Sequence, residues 1–218
     1  MKTIDQLVVR EGSALPVLLQ ALSAEGTNPC EVLPPNKALA TETLVELQMP
    51  TSTFLGTVAF HTGGLAFHGG FLRVLGSGEN AVRNLRRWSR VTGALSEGYA
   101  LIADDVLGGF FAINRGGFAA EVEEGIFFLP PDELEWRSLD IGYSEFLNWC
   151  VAGDTGEFYA RLGWESWIQT QLPNWDDALA FAPPPWTDPT IDLATAERQI
   201  VPISEVWRLK REFRQTAD

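Results

Sequence analysis

Two adjacent carboxylates, Asp104 and Asp105, stand where one apolar run ends and a glycine pair, Gly108-Gly109, opens the next. Paired carboxylates in such a place could share a proton as general acid and base, or hold a cation. With His61 as a third titratable group, they form the constellation in this chain best suited to acid–base work, set in a cleft at a sheet edge. The competing explanation is turn chemistry, because an Asp at a strand end accepts backbone hydrogen bonds and glycine permits the reversal that follows. A second acidic group, Glu121, Glu123 and Glu124, is flanked by Gly116-Gly117 and Gly125 and continues in Asp132, Glu133 and Glu135. Its density suits recognition of a cationic surface rather than a reaction.

Other reactive patterns are missing from the sequence. His61 and His68 are its two histidines, and neither HExxH nor a Cys/His cluster occurs, so no metal and no cofactor is expected. Gly76-Ser77-Gly78 lacks the spacing of a nucleophile elbow. The 20 glycines contain neither a GxGxxG nor a GxxxxGK[ST] pattern and read as turn and strand-end positions. Cys30 and Cys150 form no CxxC pair, and both read as unreactive thiols, Cys150 on the apolar stripe of a helix.

Charge narrows the function further. The 218 residues carry a net charge of -13, and residues 91–197 hold three Lys/Arg against nineteen Asp/Glu. Such a surface repels phosphate backbones and anionic lipid while attracting a cationic protein, so a basic partner is expected, not nucleic acid or membrane. The basic residues gather instead at Arg83, Arg87 and Arg90, on a face of a helix read over 79–90, where pairing within the protein or at a dimer interface is favoured over a site for an anion or an acidic partner, and in the C-terminal helix. The start of the chain lacks the pattern of a signal peptide and no run reaches the ~20 apolar residues of a membrane span, which predicts a cytoplasmic protein.

The elements that must position these groups are legible in part. Apolar runs at 99–103, 110–113 and 126–129 predict three consecutive antiparallel strands, and Tyr143, Phe146, Leu147 and Cys150 at i, i+3, i+4 and i+7 predict a helix covering one face of their sheet. Upstream, helices are expected over 14–24, 37–48 and 52–61, then a hairpin of 65–67 and 71–75 about His68-Gly69-Gly70. A Trp-rich stretch from Trp164 to Trp186 has too little periodicity for a regular element and reads as a long anchored loop. A short strand at 198–201 and a helix from Ser204, with Val206, Leu209 and Phe213 inward, end the chain. Eight tryptophans, several in this tail, predict a homodimer.

The stretch from Gly98 to Cys150 resembles the SUKH (Smi/Knr-like) superfamily: a strand ending in acidic residues before a Gly-Gly strand, a Leu-Pro pair, a Trp, and a helix opening Tyr-Ser-Glu-Phe-Leu. The run LRVLGSG is similar to a narrower set of bacterial proteins, domain of unknown function family 2625. The resemblance implies an α+β fold, a mostly antiparallel curved sheet with helices packed around it. It also implies a non-enzymatic binding module, in many members an immunity protein that neutralises a cognate toxin. A single domain over 1–218 follows, with its core at about 37–152 and an aromatic-rich C-terminal extension over 153–218. No catalytic residues come with the resemblance; a small enzyme using Asp104, Asp105 and His61 is the alternative.

Overall fold

The computed structural model describes residues 1–78, 83–119, 125–167 and 171–217. Among them, seven strands form one antiparallel sheet in chain order: β1 (Cys30–Leu33), β2 (Gly64–Phe67), β3 (Leu72–Leu75), β4 (Tyr99–Asp105), β5 (Phe110–Asn114), β6 (Ile126–Leu129) and β7 (Arg137–Ser138). Helices α1 (Ile4–Leu7), α2 (Leu15–Leu22), α3 (Lys37–Leu47), α4 (Phe54–His61) and α5 (Leu85–Val91) belong to the first half. After the sheet come α6 (Tyr143–Ala152), α7 (Thr155–Tyr159) and α8 (Trp164–Trp167), then a two-stranded sheet of β8 (Asp177–Ala182) and β9 (Glu197–Pro202), then α9 (Ile203–Ala217).

Every residue of β2 through β6 is buried, so both faces of the sheet are covered. Neighbouring residues on a strand point to opposite faces, and β5 shows what covers each. Phe110 meets Trp207 of α9 at 4.9 Å between ring centroids, while Phe111 meets Phe146 of α6 at 5.1 Å. The expected stripe of α6, Tyr143, Phe146, Leu147 and Cys150, is buried. Between β2 and β3 the chain turns through His68-Gly69-Gly70, all three at positive φ, the conformation for which the glycines were singled out.

Several expectations need correction. Helix α5 begins at Leu85, where Asn84 caps it by accepting from the Arg87 N–H at 2.9 Å; residues 79–82 lie outside the described residues, and Arg83 precedes the helix. The Pro-rich connection before α3 contains β1, and the Trp-rich stretch contains α8 and β8. In α9 the buried positions are Ile203, Val206, Trp207 and Lys210, whereas Phe213 is 37% exposed. Of the eight tryptophans, Trp88, Trp164, Trp167 and Trp207 are buried and the other four are half-buried.

The stretch after residue 152 forms its own small sheet and packs against the large one. The Leu179 N–H of β8 donates to the Val106 carbonyl at 2.7 Å, the Trp175 ring lies against Gly64 where a Cβ would collide with it, and Ile203 closes onto the Asp176 carbonyl.

Candidate functional site

The carboxylate pair sits at the end of β4, the central strand, and not at a sheet edge. Arg73 of β3 stands directly opposite Asp104 in the ladder, and its Nε donates to Asp104 Oδ1 at 2.7 Å. Arg83 donates through Nη2 to Asp104 Oδ2 at 2.5 Å and stacks over the Trp175 ring at 5.0 Å. All three charged side chains are buried. A carboxylate can be held so far from water only where both oxygens are paired, and two arginines do this here. Arg73 then uses Nη1 to donate to the carbonyls of Asn174 at 3.1 Å and Asp177 at 2.7 Å, which clasps the start of β8 onto the sheet. Burial pushes Arg83 down to about 10, with Asp104 opposing that shift.

Asp105 is fully buried and differently engaged. Its Oδ1 accepts from the backbone N–H groups of Leu107 at 2.9 Å and Gly109 at 2.8 Å, and its Oδ2 accepts from the Tyr159 hydroxyl at 3.1 Å. This is the turn chemistry that the sequence suggested, and it needs glycine: a Cβ at Gly109 would collide with Asp105 Oδ2. Burial pushes the Asp105 carboxyl up to about 6, against the opposing pull of the Gly109 N–H and the Tyr159 hydroxyl. Burial, with Asp105 facing it, also holds the Tyr159 phenol well above its ordinary value.

A third buried charge comes from α9. Ile203, Val206, Trp207 and Lys210 lie at i, i+3, i+4 and i+7, so Lys210 falls on the buried stripe of the helix. Its Nζ donates to the carbonyls of Pro130 and Glu133 at 2.5 and 2.8 Å and lies 4.9 Å from the Trp186 ring centroid. Burial pushes Lys210 down to about 7, with Asp105, Asp132 and Glu133 opposing.

That shift has a measurable consequence. Because the folded value lies below the ordinary 10.5, the unfolded chain binds a proton that the folded protein releases between those values, and stability rises with pH there. Both histidines, lowered from 6.5 by burial, are neutral in either state above pH 7, while the buried thiols and phenols, all raised, act only above about pH 8.5. Between pH 7 and 8.5, urea unfolding should therefore show a gain of about 1 to 2 kcal/mol. Lys210→Met should flatten this slope; a slope retained in the variant would assign it to another group.

The comparisons with known proteins bear on the whole chain. A model of the family described as Protein of unknown function DUF2625 matches residues 4–206. The chain belongs to this family. It is 34% identical over 218 residues to the uncharacterized protein YbfG of Escherichia coli (strain K12), covering 99% of both chains. It is also 36% identical over 204 residues to an uncharacterized protein of Haemophilus influenzae, covering 91% of this chain and 88% of the relative. The family match runs through α6, α7, α8 and both strands of the second sheet, so most of the stretch beyond residue 152 is part of the family's common body.

The remaining singled-out residues scatter. His61 ends α4, half-buried and edge-on to Phe60 at 5.0 Å, with no hydrogen bond or ion pair to either aspartate. His68 Nε2 lies 2.8 Å from Thr155 Oγ1. Glu121, Glu123 and Glu124 lie outside the described residues. Asp132 pairs with Arg161, Glu133 pairs with Arg137 at 2.5 Å, and Glu135 is exposed. Among the described residues no three His, Cys, Asp or Glu side chains gather as a metal-holding group, and no helix is long and apolar enough to cross a membrane. Sequence reasoning missed Arg73, Tyr159 and Lys210, and it expected Arg83 to pair within the protein or at a dimer interface without naming Asp104 as its partner. Arg73, Arg83 and Tyr159 join the aspartates in a buried polar network across β3, β4 and α7, while Lys210 of α9 is held separately by the Pro130 and Glu133 carbonyls. The chemistry of the network is that of a clasp.

Proposed function

We propose that this protein is a non-enzymatic binding module, of the immunity kind implied by its resemblance to the SUKH superfamily, and that it takes a basic protein on its acidic side. One observation carries the reading. Over residues 125–167 the sequence contains two cations, Arg137 and Arg161, and both are already paired with Glu133 and Asp132. Six exposed carboxylates of the same stretch, Glu135, Asp140, Glu145, Asp154, Glu157 and Glu165, have no cation within salt-bridge distance among the described residues. A surface with this much uncompensated negative charge steers a cationic partner to it.

An enzyme working through Asp104, Asp105 and His61 has less support. Both carboxylates are occupied by buried partners, and a substrate would have to displace a guanidinium or two backbone donors to reach them.

The test uses charge alone. Glu145 and Asp154 accept backbone hydrogen bonds at helix starts and are left in place. A variant carrying Glu135→Gln, Asp140→Asn, Glu157→Gln and Glu165→Gln should associate about tenfold more slowly with the basic protein recovered from the native host, and salt should slow the unaltered protein in the same way. The same basic protein recovered at the same rate by both forms would remove the acidic-surface mechanism.

A further inference from the structure

The small sheet of β8 and β9 has an open edge. Strand β9 is exposed from Glu197 through Ile200, and Ile200, although apolar, is 60% exposed. One side of β9 is taken by β8, with Leu179 opposite Ile200 and Ala180 opposite Gln199. Among the described residues no strand pairs with its other side.

The ladder fixes which backbone groups this edge offers. The Ile203 N–H donates to the Asp176 carbonyl, so residues 203 and 176 form a hydrogen-bonded pair, and such pairs recur at every second residue of an antiparallel ladder. Glu197, Gln199 and Val201 therefore direct their N–H and C=O groups to β8, while those of Arg198 and Ile200 point outward. Leu179, opposite Ile200, shows the same alternation from β8, because its N–H turns away from β9 to the Val106 carbonyl. Among the described residues the outward groups of Arg198 and Ile200 have no backbone partner. Pro202, the next outward position, lacks an N–H, so the edge ends without a further donor.

We propose that β9 pairs antiparallel with β9 of a second copy about a twofold axis at Gln199, which joins the two small sheets into one of four strands. Outward residues must face outward residues, which leaves three possible centres for the pairing. Centred on Arg198, the pairing would set two guanidinium side chains opposite each other, and like charges so placed are destabilising. Centred on Ile200, it would set Arg198 against Pro202 and leave the Arg198 carbonyl without a donor. Centred on Gln199, Arg198 of each copy faces Ile200 of the other, and every outward N–H meets an outward carbonyl. Glu197 then faces Val201, so no like charges are opposed. The two Gln199 amides, each both donor and acceptor, meet on the axis. The strand is thus complementary to itself, as a twofold contact requires. Arg198 also lies over its own Trp167 ring at 4.6 Å and donates to the Ala194 carbonyl at 3.2 Å, so its charge is already engaged.

Sedimentation of the full chain tests the proposal. So short a contact belongs to the weak, transient class, and the dimer should be half formed at about 100 µM. Salt should strengthen it by screening two copies of net charge -13, the reverse of its effect on binding to a basic partner. Ile200→Pro removes an outward N–H and leaves the bonded pairs with β8 in place, so it should yield a monomer; proline is tolerated at such an edge position. Gln199→Glu and Gln199→Lys each put two like charges on the axis and should weaken the dimer about fivefold. An equimolar mixture of these two variants should dimerise more tightly than either alone, a recovery that damage to the fold would not give. The proposal is overturned by any of three results: a strict monomer at millimolar concentration, a dimer that Ile200→Pro leaves intact, or a mixture that associates no more tightly than its components.

Discussion

Asp104→Ala should destabilise the protein by about 3 to 5 kcal/mol, read as a lowered urea midpoint. Removing this carboxylate leaves Arg73 and Arg83 facing each other in the interior with no anion between them, and an uncompensated buried charge costs more than the original pair contributed. The damage should have a location. Arg73 is the residue that holds the Asn174 and Asp177 carbonyls, so amide hydrogen exchange in β8 should speed up before exchange in β5 or β6 does. Arg83→Met combined with Asp104→Asn should recover part of the loss: it removes one cation, keeps an acceptor for Arg73, and puts an apolar chain against the Trp175 ring. A loss below about 1 kcal/mol in the Ala variant would mean that water reaches the arginines once the carboxylate is gone.

The contrast between what the sequence shows and what it hides follows from where each signal is local. The three strands β4, β5 and β6 and the helix α6 are written in consecutive apolar residues bounded by Gly, Pro or Asp, and they form as read. The Asp105 turn is equally local, since the carboxylate and its two N–H donors lie within five residues of one another. The partners of Asp104 come from 31 and 21 residues away, and no spacing rule links them. A hint was nonetheless present: Arg73 interrupts the apolar run LRVL, and a cation inside a fully buried strand must have an anion. The same reasoning applies to Lys210, which continues the apolar spacing of Ile203, Val206 and Trp207 and so had to be buried with them. Strand β8 was hidden by its surroundings. The run Ala178 to Ala182 is apolar and lies between Asp177 and three prolines, an ordinary strand signature, but the neighbouring tryptophans drew the stretch toward a loop reading.

Asp105→Asn should change how stability depends on pH more than it changes stability itself at low pH. Burial raises the Asp105 carboxyl to about 6, above its ordinary 3.8, so between these values the folded protein holds a proton that the unfolded chain has released. The contribution of this proton to stability is complete below pH 3.8 and is lost as pH rises through 6. The loss amounts to about 3 kcal/mol when the carboxylate is fully ionised. Asn is neutral at every pH. Its Oδ1 can still accept from Leu107 and Gly109, and its amide can donate to the Tyr159 oxygen, so the turn keeps its hydrogen bonds. Taking the difference between variant and unaltered protein cancels the two histidines, which titrate in the same region with the opposite sign. From pH 4 to 7 that difference should move by about 2 to 2.5 kcal/mol in favour of the variant. Repeating the comparison in a Lys210→Met background shows how much of the effect reaches Asp105 through the lysine that it helps to keep charged. A difference that stays constant over the whole range would mean that Asp105 is ionised in the fold even at pH 4, its two backbone donors outweighing the cost of burial.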